Sequence, residues 1–276
     1  MKQFFSVNGV IKTLSEAQIP ADRIETMYGF GVYETMKVRN GIVFFVENHI
    51  ERLFHSAECI DLFHSFSEKQ VAEWIRSLLA ALSEESLNLK VLLMGSQNPE
   101  EAALYLFPLA PFFPKRNWYR DGVSVCSFVY ERWMPQSKSL NMLPSYYYYT
   151  QAKQEGHYDA LYVDHDLNIR EGTRTNFYVM KGKKIYSPPK EDVLEGVTMM
   201  SLERAIHSSP FSIQYKKIPY TSMFSYDAAF LSSTSTKIIP ISRIDGKEIG
   251  ISSDFRELME LYNKALDRSN GLISGI

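Results

Sequence analysis

Lys138-Ser-Leu-Asn-Met-Leu143 is the stretch that decides how the fold of this sequence is interpreted. It is read together with a second stretch further along the chain, Arg170-Glu-Gly-Thr-Arg-Thr-Asn-Phe177. A lysine amine in a water-poor pocket can form a Schiff base, and a carboxylate beside a pyridine nitrogen can keep that nitrogen protonated. Lys138 and Glu171 together therefore indicate pyridoxal phosphate chemistry. Alone, each is more typical of a solvated surface lysine and of an ordinary turn.

Composition limits the kind of molecule this is. The chain has 276 residues, of which 45% are hydrophobic and 13% aromatic, enough for a substantial core in one large domain or two ordinary ones. A formal net charge of −2, without a long run of one sign, gives no electrostatic footprint for nucleic acid or anionic lipid. Small-molecule partners are favoured.

Cysteine usage and hydropathy indicate a cytoplasmic enzyme. Cys59 and Cys126 stand far apart, which favours two reduced thiols over a disulfide framework or a zinc site. The first residues reach the turn dipeptide Asn8-Gly9 before an apolar signal sequence could form, and there is no uninterrupted apolar run of membrane-spanning length. The six histidines show no metal-ligand spacing, so no metal site is predicted.

Periodicity predicts an α+β first half. Asn-Gly turns at Asn8-Gly9 and Asn40-Gly41 predict two hairpins, the second over Glu34 to Val46. The helical period runs from Glu47 to Ile60 and again after Ser67-Glu-Lys-Gln70, which resembles a capping box. Strands are predicted at Val91 to Met94 and at Ala103 to Leu109.

Prolines 108, 111 and 114 interrupt the periodicity and predict a linker between domains. We place a small N-terminal domain at 1–113, the linker at 114–118 and a larger C-terminal domain at 119–276. The C-terminal part is expected to contain the following elements: strands at Val123 to Tyr130, Ala160 to Val163, Asn176 to Met180 and Ala228 to Ser232, and helices at Leu143 to Glu155, Gly196 to His207 and Asp254 to Leu266.

Four motifs, in one consistent order from about Asp22 to about Asp245, resemble the fold-type IV pyridoxal phosphate enzymes. This is the class IV aminotransferase family, which includes branched-chain aminotransferases, D-amino-acid aminotransferases and aminodeoxychorismate lyases. The resemblance implies a small N-terminal α/β sandwich domain, a larger C-terminal pseudo-barrel α/β domain, and a homodimer. It also implies pyridoxal 5'-phosphate as the cofactor, held by Lys138 as a Schiff base, with Glu171 at the pyridine nitrogen.

The resemblance further implies a phosphate-binding set. Arg52, in His49-Ile-Glu-Arg-Leu53, matches the family's phosphate arginine, although alone it would be a solvent-facing helix residue. Val197 and Thr198, in Gly196-Val-Thr198, match a turn whose amides and hydroxyl receive phosphate oxygens. Thr234 and Ser235, in Ser232-Ser-Thr-Ser-Thr236, match the third phosphate segment. The Asn176-Phe177 pair is interpreted as structural.

The substrate wall is where the chain departs from the family. Tyr28-Gly-Phe-Gly-Val-Tyr-Glu-Thr35 resembles the strand that lines the substrate pocket, with Tyr33 facing substrate, but Phe30 stands where aspartate is usual. The Arg-x-His carboxylate trap of D-amino-acid aminotransferases is replaced by Leu93-Met-Gly-Ser-Gln97, so poor activity on D-alanine is expected. Met94 and Arg174 are predicted to contact substrate, with Arg174 as a substitute positive charge or as a structural ion pair.

The sequence therefore predicts a homodimeric aminotransferase that acts on a small amino acid and a 2-oxo acid. The alternative is a lyase of the aminodeoxychorismate type, which would use the same Lys138 to eliminate pyruvate. Both reactions need proton removal at Cα, so Lys138, Glu171 and the phosphate residues do not separate them. A pyridoxal phosphate-binding protein without turnover is a third, weaker hypothesis, because Lys138 and Glu171 are both intact.

Overall fold

The computed structural model describes residues 4–82 and 84–270, which group into two compact units. The first contains the chain up to Phe112 together with Ser137–Asn141, and the second contains Phe113–Gln136 and the chain from Met142 onward. Compared with the predicted ranges, Ser137–Asn141 joins the first unit, and a helix begins at Arg116, inside the segment predicted as linker. The outermost residues of those ranges, 1–3 and 271–276, lie outside the described residues.

The first unit consists of an antiparallel sheet and helices. Its elements are β1 (Phe4–Val7), β2 (Val10–Thr13), α1 (Ile24–Met27), β3 (Gly31–Arg39), β4 (Ile42–Val43), α2 (Val46–Glu58), α3 (Glu68–Leu82), β5 (Ser86–Met94) and β6 (Ala103–Leu109), with 3-10 turns at Leu14–Glu16 and Pro99–Glu101. The strand order in the sheet is β2-β1-β6-β5-β3-β4.

Local sequence explains several of these elements. Asn8 and Gly9 both have positive φ, as a tight hairpin turn requires, and β1 pairs with β2 across them. Ser67 and Gln70 form the predicted capping box: the Gln70 amide donates to Ser67 Oγ at 3.3 Å, and the Ser67 amide donates to Gln70 Oε1 at 2.9 Å. The hairpin at Asn40-Gly41 is shorter than predicted, because α2 begins at Val46.

The sheet of the first unit has one core face and one half-buried face. Along β3 and β5 the burial alternates residue by residue, as the pleat requires. The buried face of these strands belongs to the same apolar core as α2 and α3. Tyr33 and Lys90 lie on the other, half-buried face, which is thereby left for side chains that are not part of that core.

The second unit contains a larger mixed sheet. Its elements are α4 (Arg116–Asp121), β7 (Val123–Val129), α5 (Leu143–Gln154), β8 (Asp159–Val163), β9 (Asn168–Gly172), β10 (Asn176–Lys181), β11 (Lys184–Ser187), α6 (Val197–Ile206), β12 (Ser212–Tyr215), β13 (Ile218–Pro219), β14 (Ala228–Ser233), β15 (Lys237–Ile244), β16 (Lys247–Glu248) and α7 (Ser253–Asn270), with 3-10 turns at Lys190–Asp192 and Tyr220–Ser225.

Strand pairing closes part of this sheet into a ring. The order β10-β14-β15-β7-β8-β9 returns to its start, because β9 also pairs with β10 through Glu171 and Asn176. The interior is filled by aliphatic and aromatic residues such as Val125, Phe177 and Ile239. The strand pair β9–β10, which closes the ring, therefore includes Glu171, the carboxylate that the sequence motif indicates for the pyridine nitrogen. In the described part of the chain, no helix is both long and apolar enough to cross a membrane.

Candidate active site

Hydrogen bonds to two other residues hold the backbone of Lys138 in place. Its carbonyl oxygen accepts a hydrogen bond from the Tyr33 amide at 3.0 Å, and its amide donates to Ser56 Oγ on α2 at 3.1 Å. The neighbouring Ser137 hydroxyl donates to the Ser56 carbonyl at 2.9 Å. The half-buried side chain brings Nζ within 3.3 Å of the Tyr33 hydroxyl. Ser56, which the sequence did not single out, therefore fixes the backbone of the lysine.

Gly31 allows the lysine segment to approach β3. The segment adds to the strand through a bridge between Val32 and Ser139 and through the Leu140 amide, which donates to the Gly31 carbonyl at 2.8 Å. A Cβ at Gly31 would lie 2.7 Å from the Leu93 carbonyl oxygen and 2.9 Å from Leu140 Cδ1. A side chain at this position would displace the segment that carries Lys138.

Arg52 is not the solvent-facing arginine that its helix alone would suggest. Its Nε lies 2.6 Å from Glu34 Oε1 and its Nη2 lies 2.8 Å from Glu34 Oε2, and His49 Nδ1 shares that second oxygen at 2.8 Å. All three side chains are buried. Burial would raise the pKa of the Glu34 carboxyl, but Arg52 and His49 outweigh it and hold that pKa far below its usual range. Burial lowers the pKa of His49.

Glu34→Ala is expected to lower the free energy of unfolding by about 3–5 kcal/mol, because it leaves a buried guanidinium without its carboxylate. Glu101→Ala is the matched control, since Glu101 forms an exposed pair with Arg23 at 3.2 Å and exposed pairs contribute about 0–1 kcal/mol. Urea titration followed by circular dichroism measures both. Equal losses in the two variants would contradict the importance of the buried pair.

In the second unit, Glu171 is buried and oriented by two partners. Arg132 Nε lies 2.7 Å from Oε1, and the Leu194 amide donates to Oε2 at 3.1 Å. Asn176, across the strand pair from Glu171, donates through Nδ2 to the Leu194 carbonyl at 2.7 Å. Glu171 therefore binds the amide of Leu194 and Asn176 binds the carbonyl of the same residue, just before α6. Arg132, six residues before Lys138 and outside the quoted motifs, was missed by the sequence analysis.

The N-terminus of α6 suits an anion. Gly196 is its N-cap and supplies no side-chain cap, while Val197 and Thr198 form its first turn and are both buried. A Cβ at Gly196 would overlap Asn176 Oδ1, so only glycine fits between the turn and that amide. Backbone N–H groups at the start of a helix, with a threonine hydroxyl, form a common phosphate-binding arrangement.

Hydrogen bonds between side-chain hydroxyls link the residues of the turn between β14 and β15. Ser233 Oγ lies 2.8 Å from Thr236 Oγ1 and 3.2 Å from Ser235 Oγ, and Tyr158 donates to Thr236 Oγ1 at 3.2 Å. Thr236 is buried, whereas Thr234 and Ser235 remain half-buried. The internal bonds hold the turn, so that Thr234 and Ser235 are presented at its tip as predicted phosphate contacts.

The predicted substrate contacts have three different environments. Tyr33 lies beside Lys138, whereas Met94 is 8% exposed and belongs to an apolar cluster with Phe5 and Tyr105, which favours a packing role. Arg174 is exposed, and its guanidinium carbon lies 4.2 Å from the centroid of the Tyr149 ring. Its role at substrate stays a prediction.

Phe30, the departure from the family pattern, packs against the core of the first unit. A Cβ at Gly95 would lie 2.5 Å from its ring, so the missing side chain of Gly95 makes room for the phenyl group. The Gly95 amide also donates to the Phe30 carbonyl at 2.9 Å. The substitution at position 30 therefore changes local packing.

One group of potential metal ligands lies away from these residues. Ligand atoms of Cys126, Glu155 and His157 lie within 4.8 Å of one another. Burial, reinforced by nearby carboxylates, raises the pKa of the Cys126 thiol to about 12, so this thiol stays protonated in the metal-free protein. His157 Nδ1 already contacts the Ser124 hydroxyl at 2.9 Å. The trio therefore does not support a metal site.

The donors in each unit fit pyridoxal phosphate. The first unit offers an amine at Lys138, an oriented guanidinium at Arg52, and the buried Nε2 of His49, which has no hydrogen-bond partner within residues 4–82 and 84–270. The second unit offers the Glu171 carboxylate and a helix N-terminus with hydroxyls. These are the groups that a phosphorylated pyridine aldehyde needs.

Comparison with known proteins agrees with this chemistry. The sequence profile of the family described as amino-transferase class IV matches residues 31–244. A D-alanine aminotransferase of Bacillus licheniformis is 28% identical over 262 residues, covering 91% of this chain and 90% of that protein. A putative branched-chain-amino-acid aminotransferase of Methanocaldococcus jannaschii is 23% identical over 256 residues, covering 88% of each chain.

Solved structures share the fold. A branched-chain aminotransferase of the archaeon Thermoproteus uzoniensis with norvaline superposes with a TM-score of 0.86 and 22% identity, covering 96% of this chain and 95% of that one. An aminotransferase of Mycobacterium tuberculosis described as hypothetical, with alpha-ketoglutarate and PMP bound, has a TM-score of 0.85 and 20% identity, covering 96% and 99%. The predicted α+β class and fold type IV are confirmed.

Proposed function

Because the chain belongs to the class IV aminotransferase family and uses pyridoxal 5'-phosphate, we propose that it moves an amino group between a small amino acid and a 2-oxo acid, with Lys138 as the catalytic lysine. The observation that carries this proposal is the fixed backbone of Lys138, whose half-buried Nζ lies 3.3 Å from the Tyr33 hydroxyl. When bound, the cofactor supplies a ring that accepts the electron pair released at the substrate α-carbon.

Lys138 has two tasks in this proposal. Its Nζ would hold the cofactor in the resting enzyme. During turnover the same amine would remove the proton from the substrate α-carbon and, in the reverse half of the amino transfer, return a proton to the α-carbon of the product. Tyr33 directs the amine, since its hydroxyl accepts a hydrogen bond from Nζ. Ser56 and Ser137 keep the peptide from shifting when the amine changes partner.

Glu171 would hold a proton on the pyridine nitrogen of the cofactor. Arg132 and the Leu194 amide fix the two carboxylate oxygens and so set the direction of the remaining lone pairs. For the phosphate we propose Arg52, Val197, Thr198, Thr234 and Ser235. The Glu34 pair would orient Arg52 before the cofactor binds, which reduces the entropy lost on binding.

A donor panel tests the reaction. The enzyme is incubated with pyruvate or 2-oxoglutarate as acceptor and with L- and D-amino acids as donors, and in parallel with a chorismate-derived substrate without acceptor. We expect amino transfer that requires both partners, with D-alanine among the poorer donors. Pyruvate release from the chorismate-derived compound, with no amino transfer from any donor, would instead support the lyase.

We also propose a homodimer located in the cytoplasm. Exposed apolar side chains on and near α5 support an interface in the second unit: Trp133 is 67%, Leu143 76% and Tyr146 69% exposed. Sedimentation velocity of the holoenzyme is expected to give about twice the mass of one chain. A fully active monomer would contradict the proposal.

A further inference from the structure

Lys90 is a second lysine close to the catalytic one. It lies in the middle of β5, on the half-buried face of the sheet that also carries Tyr33. Lys90 Nζ lies 3.5 Å from the centroid of the Tyr33 ring, and Lys138 Nζ lies 4.4 Å from the same centroid. The two amines are therefore at most about 8 Å apart, close enough for one charge to affect the other.

The Lys90 ammonium has no acidic partner within residues 4–82 and 84–270. No carboxylate oxygen in those ranges lies within 4.0 Å of its Nζ, and its side chain makes no hydrogen bond to another residue there. Glu34, on the neighbouring strand β3, is buried, and Arg52 and His49 contact its oxygens. A half-buried cation that contacts an aromatic face and no anion carries a desolvation cost, which a bound anion would reduce.

We propose that Lys90 is a specificity-determining residue whose ammonium pairs with a carboxylate of the amino acid or 2-oxo acid substrate. The inference rests on the proposed function, because it takes Lys138 as the amine to which the reacting carbon is brought. In an α-amino acid the carboxylate oxygens lie about 3 Å from the amino nitrogen, and a charge-assisted hydrogen bond adds about 3 Å. With the substrate nitrogen near the Lys138 amine, an α-carboxylate that bonds to Lys90 needs about 6 Å in all, which is within the separation of the two lysines.

Lys90 supplies the positive charge that the sequence analysis sought at Arg174. The Arg-x-His trap is absent at Leu93 to Gln97, so a carboxylate substrate needs another cation. Arg174 is exposed, and its Nη2 is 3.5 Å from the Tyr158 carbonyl oxygen. Lys90 is half-buried beside the same tyrosine as the catalytic amine, where a lower dielectric strengthens a charge pair.

The pH dependence of carboxylate binding distinguishes the Lys90 ammonium, which can lose its proton, from a cation that is charged at every pH. The pKa of Lys90 is lowered to about 8, chiefly by burial; Tyr33 and Glu34 oppose the shift, and the nearby Lys138 adds to it. As the pH rises through this value the ammonium loses its proton, so carboxylate affinity should fall by about tenfold per pH unit. Arginine at the same position stays charged, so Lys90→Arg should give a flat profile up to about pH 10.

The experiment measures ligand binding to the holoenzyme by calorimetry. The ligands are pyruvate, 2-oxoglutarate and the uncharged analogue pyruvamide, and the proteins are the wild type, Lys90→Met, Lys90→Arg and Arg174→Ala. Lys69→Met is the control for loss of one positive charge, since Lys69 is exposed on α3. We expect Lys90→Met to weaken carboxylate binding by about 10- to 100-fold and to leave pyruvamide unchanged, because one charge-assisted contact is lost. The cofactor absorbance confirms that each variant is folded and loaded.

The two acids identify the carboxylate. Weaker binding of both pyruvate and 2-oxoglutarate assigns Lys90 to the α-carboxylate, and weaker binding of 2-oxoglutarate alone assigns it to the second carboxylate. Dissociation constants within twofold of the wild type for both acids, or a loss seen only in Arg174→Ala, would overturn the inference. A wild type that binds these acids through Lys90 but transaminates no donor would refute the proposed function and not the role of Lys90.

Discussion

Replacing Lys138 with alanine is expected to lower kcat by at least about 10³-fold, because the substitution removes the group that moves the α-proton. The variant should still fold, since the hydrogen bonds that hold this segment come from backbone groups and from Ser56 and Ser137. Steady-state kinetics with the best donor and acceptor of the panel measures the loss. Addition of methylamine should restore part of the rate, because a free amine can replace the missing base.

Lys153→Ala is the matched control for Lys138→Ala. Lys153 lies near the end of α5 and is exposed, so its loss should change kcat by less than twofold. If Lys138→Ala kept more than a tenth of the wild-type rate, the amine of Lys138 would not be the base.

The second large effect is expected for Glu171→Gln, which should lower kcat by about 10²–10³-fold while cofactor remains bound. A neutral amide cannot keep a proton on the pyridine nitrogen, so the ring accepts electrons less well. Glu195→Gln is the control: Glu195 is exposed and lies next to Leu194, the peptide that Glu171 contacts. A Glu171→Gln variant close to the wild-type rate would exclude Glu171 as the ring partner.

Arg132 gives a finer test of the same assignment. Its Nε contacts Glu171 at 2.7 Å, so Arg132→Met should lower kcat by misdirecting that carboxylate. The two residues act as one unit in this account, so the double variant should be no slower than Glu171→Gln alone. Additive losses would mean that Arg132 has an independent role.

Features encoded within a few residues were predictable from the sequence. The Asn8-Gly9 turn, the Ser67–Gln70 capping box and the helix after Leu143 each follow from local chemistry, and the structure contains all three. Strand β9 was not predicted, although it includes Glu171. Its residues Asn168–Gly172 do not alternate in polarity, and the strand exists because β8, β10 and β13 pair with it.

The candidate site likewise contains residues that the sequence reveals and residues that only the folded chain brings together. Lys138, Glu171 and Arg52 stand in motifs that a single sequence displays. Of the partners that orient them, Ser56 and Arg132 lie outside those motifs, and Glu34 lies in the Tyr28 to Thr35 motif, where nothing pairs it with Arg52. Glu34, Ser56 and Arg132 reach these residues only through folding, from positions 18, 82 and 39 residues away along the chain. Lys90 did leave one trace in the sequence, a charged residue within the apolar alternation Leu87 to Leu93.

Borohydride reduction of the holoenzyme followed by peptide mapping identifies the amine that carries the cofactor. Reduction fixes the cofactor to the lysine that holds it, and we expect a single phosphopyridoxyl group on the peptide that contains Lys138. Lys90 is the informative alternative, because its amine contacts the same tyrosine ring. A phosphopyridoxyl group on Lys90 or on any other lysine, with Lys138 unmodified, would show that Lys138 does not carry the cofactor.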